Sequence, residues 1–204
     1  MGRAHHLEKS LPFYLAQTYS NYQVIVVDWS SPDNLQEILK PYLGPRCSCC
    51  KVDNQKYFNL AEARNTGAEF IKHKCDWLAF FDADILIPRD FLQKNLSRMK
   101  PKCFLHSRKT ENGDLSIWGS CIVEYQAWRD TQYNKNMQGY GHEDNEFYNM
   151  LLIGQYRMGK MDTSGVTSIP HDETIRIQFY DPKLSLTEQK KANLTKIRTP
   201  LVYK

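Results

Sequence analysis

The chain has 204 residues, of which 41% are hydrophobic and 25% charged, with a net charge of +4. That length can bury a sizeable core without disulfides, and the charge is too mild to argue for a nucleic-acid partner. No apolar run approaches the ~20 residues that span a bilayer, and "MGRAHHLEKSLPFYL" lacks the uninterrupted apolar stretch of a signal peptide.

Taken in chain order, "YQVIVVD" (22–28) reads as a buried strand, closed by the turn residues "SSPDN". A short helix follows from Asp33 to Leu43 around Leu35, Ile38 and Leu39. Cys47, Cys49 and Cys50 form a tight knot. A structural zinc site wants paired groups and no second pair follows, so ordinary reduced thiols are expected. "CKVDN" is a poor strand by composition but stands where one is needed. "NLAEARNTGAEFIKHK" is helical, with Asn59 as N-cap and Glu62 three residues on, close to a capping box. "DWLAFFDAD" (76–84) is a second buried strand, and Pro88 opens a helix that runs to Met99. Alternation of this kind predicts an α/β fold with a parallel, helix-covered sheet.

The second half changes character. "CFLHS" and "SIWGSCIVEY" read as strands, and "GVTSIP" as a last one. Between them "MQGYGHEDNEFYNMLL" reads as a helix, because Phe147, Met150 and Leu151 make an apolar i, i+3, i+4 set. Its start is crowded by His142, Glu143 and Asp144, after a Gly139–Gly141 approach. Acids there either cap the helix, complementing its macrodipole, or carry chemistry. From Asp181 the chain turns basic, and Ser185 with Glu188 forms a further capping box that starts a helix to about residue 194 or 196. That tail is most simply a packing or solvated helix. A single domain is expected over 1–204, with a first half to about 100, a second half from about 101 to 180, and the tail.

In open α/β sheets ligands bind outside the carboxyl ends of the strands. Asp28 ends "VIVVD", and "FFDADI" puts Asp82 and Asp84 just past "WLAFF". Residues two apart on an extended segment point the same way, so two carboxylates can share a side. Like charges so placed repel unless a cation neutralises them, and hard carboxylate oxygens suit Mg²⁺ or Mn²⁺ completed by substrate phosphates. The alternative is a turn in which one Asp caps the segment ahead of Pro88.

With these motifs assembled, the sequence resembles a known family. "VIVVDWSS", "NLAEARNTGAEF", "WLAFFDADI" and "GYGHEDNEFYNMLLIG" stand in the order and spacing of the GT-A glycosyltransferases, over about residues 2–180. The likeness is to family-2-like inverting enzymes, with a C-terminal motif similar to β-1,4-galactosyltransferases and chondroitin polymerases. It implies a GT-A, Rossmann-like mixed and mostly parallel sheet flanked by helices. It also implies a nucleotide-sugar donor, a UDP-sugar in the first instance, a Mn²⁺ or Mg²⁺ cofactor, and a glycan acceptor such as a capsular or surface polysaccharide.

Position by position, the resemblance implies that Asp28 contacts the base or ribose of the donor. Arg64 lies near the base or diphosphate, and Asn65 braces the loop. Asp82 contacts ribose and the metal region, Asp84 ligates the metal, and His171 in "SIPHDE" completes the metal site. Asp144 resembles the catalytic base and Glu143 the neighbour that holds the acceptor sugar. Gly139 and Gly141 would let the loop close over the donor, and Tyr140 and Trp118 offer flat faces either for sugar stacking or for the core. The sequence departs from the pattern in three places. Trp29 follows Asp28 where a second acid is usual, Tyr140 replaces a tryptophan, and the family's first strand, which should precede "MGRAHHL", is absent. The last departure leads to the expectation that the chain pairs with a partner molecule as a homo-oligomer. A cytoplasmic location, at most peripheral to a membrane, completes the reading.

Overall fold

The computed structural model describes residues 1–71, 75–172 and 177–200. The end of the helix expected through Lys74, Glu173 of "SIPHDE" and the last four residues of the tail lie outside the described residues. The N-terminal stretch forms helix α1 (Ala4–Leu15), which buries Ala4, Leu7 and Leu11 and carries Pro12 inside it. The apolar run "VIVVDW" becomes β1 (Val24–Trp29). The short helix that follows is α2 (Leu35–Leu39), extended by a 3₁₀ turn over Lys40–Tyr42. Strand β2 (Cys47–Val52) starts earlier than composition suggested, because the cysteine knot itself is extended. It pairs in parallel with β1, from Val24 opposite Cys47 to Trp29 opposite Val52.

Helix α3 (Leu60–Glu69) begins where the capping residues require: the Asn59 side chain accepts the Glu62 N–H at 3.1 Å. β3 (Trp77–Phe80) leads through Asp82 and Asp84 into β4 (Ile85–Leu86). The helix expected from Pro88 to Met99 is only α4 (Phe91–Leu96), since Pro88 instead offers its carbonyl to the Phe91 N–H ahead of the helix. β5 (Cys103–His106) follows, but the first half of "SIWGSCIVEY" is a 3₁₀ turn (Leu115–Gly119), not strand; only Cys121–Glu124 forms β6. Helix α5 (Tyr125–Thr131), helix α6 (Glu143–Ile153) and strand β7 (Arg157–Lys160) complete the second half. "GVTSIP" reduces to the two-residue β8 (Thr167–Ser168), which pairs with β4, and the tail is α7 (Leu186–Leu194) with the expected Ser185–Glu188 capping box.

The sheets are mixed and flanked by helices. β3, β6, β5 and β7 lie side by side in that order, β1 and β2 form a separate pair, and β4 and β8 another. The balance is less parallel than the strand–helix alternation suggested. Among the described residues only β1/β2 and β5/β7 run parallel, because β6 follows β5 through a loop and a 3₁₀ turn and doubles back antiparallel between β3 and β5. Apolar side chains gather in three clusters. Leu7, Leu11, Val26 and Leu39 join α1 and α2 to β1; Phe80, Phe104, Phe147 and Leu151 join α6 to the four-stranded sheet; Ile85, Phe91 and Ile122 pack its other face. All six cysteines are free thiols. Among the described residues no helix is long and apolar enough to cross a membrane.

Candidate active site

The loop after β3, the 3₁₀ turn before β6 and the start of α6 meet at one point. Gly119 lies there because nothing larger fits: a Cβ would come 2.8 Å from Arg64 Nη2, 3.0 Å from Asp82 Oδ2 and 3.3 Å from Asp144 Oδ2. Beneath it, Arg64 of α3 donates through Nη2 to Asp82 Oδ1 at 2.9 Å and through Nη1 to Asp144 Oδ1. A buried guanidinium thus ties the acid after β3 to the acid at the start of α6, with the Tyr133 ring 5.2 Å below it. The second acid of the β3 loop faces elsewhere. Asp84 Oδ2 lies 3.2 Å from His171 Nδ1, which brings the loop after β8 to the site.

The first turn of α6 is reached through backbone that side chains seldom adopt. Gly139 (φ 78°), Gly141 (φ 96°) and His142 (φ 74°) are left-handed, and the last is the residue preceding the helix. The glycines have a steric reason besides φ. A Cβ at Gly139 would come 2.3 Å from Gln189 Oε1, and one at Gly141 2.8 Å from Lys190 Cγ, so α7 rests directly on the loop. Gln189 Oε1 accepts the Tyr140 N–H at 2.9 Å, and Asn193 Nδ2 donates to the Gly141 carbonyl at 2.9 Å. The loop expected to be free to close is held in place by the tail.

Arg64, Asp82, Asp84, Trp118, Tyr140, Glu143 and Asp144 all line one cleft of about 1390 Å³. Residues 2–156 of the chain match glycosyl transferase family 2. The chain belongs to that family. Among solved structures, the catalytic domain of Drosophila β1,4-galactosyltransferase 7, in complex with xylobiose, is similar at a TM-score of 0.59 and 17% identity, covering 89% of this chain and 82% of that one. A mutant of the same Drosophila enzyme, in complex with manganese, UDP-Gal and xylobiose, aligns at 0.57 and 17%, over 87% and 81%. S. aureus TarS aligns at 0.65 and 14%, over 92% of this chain and 40% of that one. Comparison with curated proteins gave no match. These likenesses show the GT-A fold for this family-2 glycosyltransferase.

Not every residue singled out from the sequence reaches the cleft of the family-2 domain. Asp28 is buried and both of its oxygens are spoken for: the Ser31 N–H donates to Oδ1 at 2.9 Å and Gln36 Nε2 to Oδ2 at 2.6 Å. It organises the turn after β1 rather than offering a free carboxylate. Its neighbour Trp29, where a second acid was expected, is buried and donates its Nε1–H to the Tyr57 carbonyl at 3.0 Å. Asn65, expected to brace a loop near the donor, holds the segment after α5. Its Oδ1 accepts from Trp128 Nε1 and from the Tyr133 N–H, and its Nδ2 donates to the Tyr133 carbonyl at 2.8 Å. Arg64 is committed to two carboxylates rather than lying free for a diphosphate.

Burial dominates the electrostatics. It pushes the Glu143 carboxyl up to about 7, helped by the adjacent Asp144 charge, and Glu143 Oε2 has no hydrogen-bond partner among the described residues. Burial also raises Asp144, opposed by Arg64, so the helix N-terminus does not by itself keep this acid at its ordinary value. The guanidinium of Arg64 stays charged: burial works against it, but Asp144, Tyr133 and Asp82 together hold its pKa well above the ordinary value. Asp84 is raised by burial and by Asp82, while His171 pulls it down.

Among the described residues no group of three or more His, Cys, Asp or Glu side chains is arranged to ligate a metal as it stands. The reason is Asp82, whose carboxylate is turned to Arg64. Asp84 and His171 nevertheless fit a hard divalent ion, with a carboxylate oxygen and an imidazole nitrogen adjacent and a like charge nearby that a cation would relieve. Three residues that sequence reasoning missed also line or shape the site. Gly119 sets its floor, Asn145 accepts the Trp118 Nε1–H at 2.8 Å and fixes that ring, and Arg3 reaches the cleft from the start of the chain. Asn145 stood beside the acids of α6 and Gly119 beside Trp118, in stretches already singled out, whereas nothing in the sequence pointed to Arg3.

Proposed function

We propose that this domain is an inverting, metal-dependent transferase that moves a sugar from a nucleotide-sugar, a UDP-sugar by preference, to a hydroxyl of a glycan acceptor. The observation that carries it is the meeting of Asp144 and Glu143, at the start of α6, with the Asp82–Asp84–His171 corner across one cleft. The donor half is assigned to about 1–100 and the acceptor half to about 101–180.

Asp144 is the base. A carboxylate within reach of an acceptor hydroxyl takes its proton as the oxygen bonds to the anomeric carbon. The bond from that carbon to the diphosphate breaks in the same displacement, so the configuration inverts. Arg64 must release Asp144 for this, and Asp82 as well where that carboxylate turns to a metal. Glu143, whose carboxyl burial raises to about 7, is protonated in about half of the molecules at neutral pH, and in that form can donate to an acceptor oxygen through its unpartnered side-chain atom. Trp118, fixed by Asn145, offers the acceptor ring a flat face. Asp84 and His171, with Asp82, would hold Mn²⁺ or Mg²⁺, which when bound stabilises charge on the departing diphosphate. The free thiols accord with a cytoplasmic domain, at most peripheral to a membrane.

Asp144→Asn tests the assignment. Sugar transfer should fall by about 10²–10⁴-fold, while the thermal shift given by UDP with Mn²⁺ is retained. Full activity in the variant overturns the role of Asp144. A wild-type protein that shows the UDP–Mn²⁺ shift but no transfer to any glycan acceptor favours a donor-binding domain instead, a reading to which the Arg64–Asp144 clamp lends support.

A further inference from the structure

Three of the acids at the centre of the cleft have partners of their own. Asp82 and Asp144 are paired with Arg64, and Asp84 lies beside His171. Two exposed basic side chains nearby take no part in that pairing. Lys190 Nζ of α7 lies 4.7 Å from the centre of the Tyr140 ring, and the Arg108 guanidinium lies 5.7 Å from the centre of the Trp118 ring. Tyr140, Trp118 and Lys190 all line the cleft. Each of the two rings offered to the acceptor therefore has a cation over it.

Lys190 is the more closely defined of the two. Its ammonium pairs with no carboxylate among the described residues. Its stem is nonetheless fixed, because it crosses the backbone at Gly141. A Cβ there would come 2.8 Å from Lys190 Cγ, 3.2 Å from Cε and 3.5 Å from Cδ, so only glycine lets the stem lie so close. Ordering a lysine side chain costs conformational entropy, and an ion pair commonly offsets that cost. Here the Tyr140 ring and the Gly141 backbone hold the stem, and the charge is presented to the cleft already in place. Its field falls at the entrance to α6 rather than on the base. Burial lowers the His142 pKa and Lys190 lowers it further, whereas the charges acting on Asp144 are those of Arg64 and Asp82. Arg108 is placed through Trp118, whose ring Asn145 fixes with a 2.8 Å hydrogen bond.

We propose that the glycan bound in this cleft is anionic, with a carboxylate or phosphate close to the sugar that receives the transfer, and that Lys190 and Arg108 select it. The transferase reading supplies only the use to which the bound glycan is put; the binding stands apart from it. An anionic oxygen accepts a charge-assisted hydrogen bond from the Lys190 ammonium, and the Arg108 fork offers parallel N–H groups to the same anion or its neighbour. Both cations act beside the aromatic faces, so they discriminate against uncharged glycans without touching the reacting hydroxyl.

The test reads binding and does not depend on turnover. Two matched pairs are titrated into the protein, alone and with UDP and Mg²⁺ present: tetragalacturonate with its methyl ester, and phosphorylated maltotetraose with maltotetraose. Binding is followed at the amide NMR signals of Tyr140 and Lys190. In at least one pair the charged member should bind about 10-fold or more tightly than the neutral one. Which pair responds assigns the anion as carboxylate or phosphate. The preference should fall below about 2-fold in Lys190→Met, which keeps the packed stem but not the charge, and survive in Lys190→Arg. Arg108→Gln should reduce it in part, and salt at about 0.5 M should weaken it in the wild type. Equal binding within both pairs, or a preference unchanged in Lys190→Met, overturns the proposal. So does loss of charged-glycan binding when UDP is present, which would assign Lys190 to the donor phosphates. Charge-selective binding in a protein that transfers no sugar supports the proposal and counts against the transferase reading alone.

Discussion

A Cβ at Gly119 would press on Arg64 Nη2 and on Asp82, two groups locked to one another and to Asp144. Gly119→Ala is therefore expected to lower transfer activity at least about 10-fold while shifting the melting temperature by only a few degrees, since the strain falls on side chains rather than on backbone. Glu143 gives a prediction with a sign. Its carboxyl moves from 4.5 to about 7 on folding, so the native state holds the proton more tightly. Stability from this group is present at low pH and is lost as pH rises from about 4.5 through about 7. Glu143→Gln should melt several degrees above wild type at pH 8 and level with it at pH 4, read by a pH series of thermal scans. A variant less stable by the same amount at both pH values would refute the buried-acid account. Sequence patterns found Asp82, Asp84, Glu143 and Asp144, because acids at strand ends and helix starts are local signals. They could not find the Arg64 bridge, because nothing periodic links residue 64 to residue 144.

Helix α6 is held from behind by a buried acid. Glu146 is fully buried, and Arg198 of the tail donates to it through Nε and, at 2.8 Å, through Nη2, with Nη1 bonded to the Thr131 carbonyl. Glu146 is buried but the Arg198 side chain is about a third exposed, so removing the arginine leaves one buried acid unpaired at a cost of about 1–3 kcal/mol. Arg198→Ala should show a loss of that order in urea titration, and Arg198→Met with Glu146→Leu should recover most of it. At the other end of the sheet, Asn59→Ala removes the α3 cap and a bond to the Lys135 carbonyl, with an expected loss of about 1–2 kcal/mol. Both capped helices were legible from the chain because capping chemistry is written in three or four consecutive residues. Strand β7 was not. "RMGK" is mostly exposed and neither alternates nor carries β-branched residues, so only its pairing with β5 makes it a strand. The 3₁₀ turn at 115–119 read as strand because apolar content without period does not separate the two.

Across the molecule, the site draws on segments from Arg64 to His171, and its donor corner should respond to ligands as a unit. UDP and Mn²⁺ together at ~100 times their dissociation constants should add about 2.7 kcal/mol, a shift of several degrees that neither gives alone. Asp84→Ala or His171→Ala should abolish the Mn²⁺-dependent part. The fold class was readable at this scale because two apolar runs ending in acids, with helices between, leave few alternatives. The division of the sheet was not, since pairing is a property of two distant strands. The hold of α7 on the Tyr140–Gly141 loop has a consequence in time. Gln189 and Asn193 leave the ribosome about fifty residues after the loop they fix, a delay of roughly 3–10 s at usual synthesis rates. During that interval the sheet and α3 can already form, but the loop that leads into Glu143 and Asp144 lacks the α7 contacts that hold its left-handed backbone. Nascent chains stalled before residue 189 should thus be folded and inert.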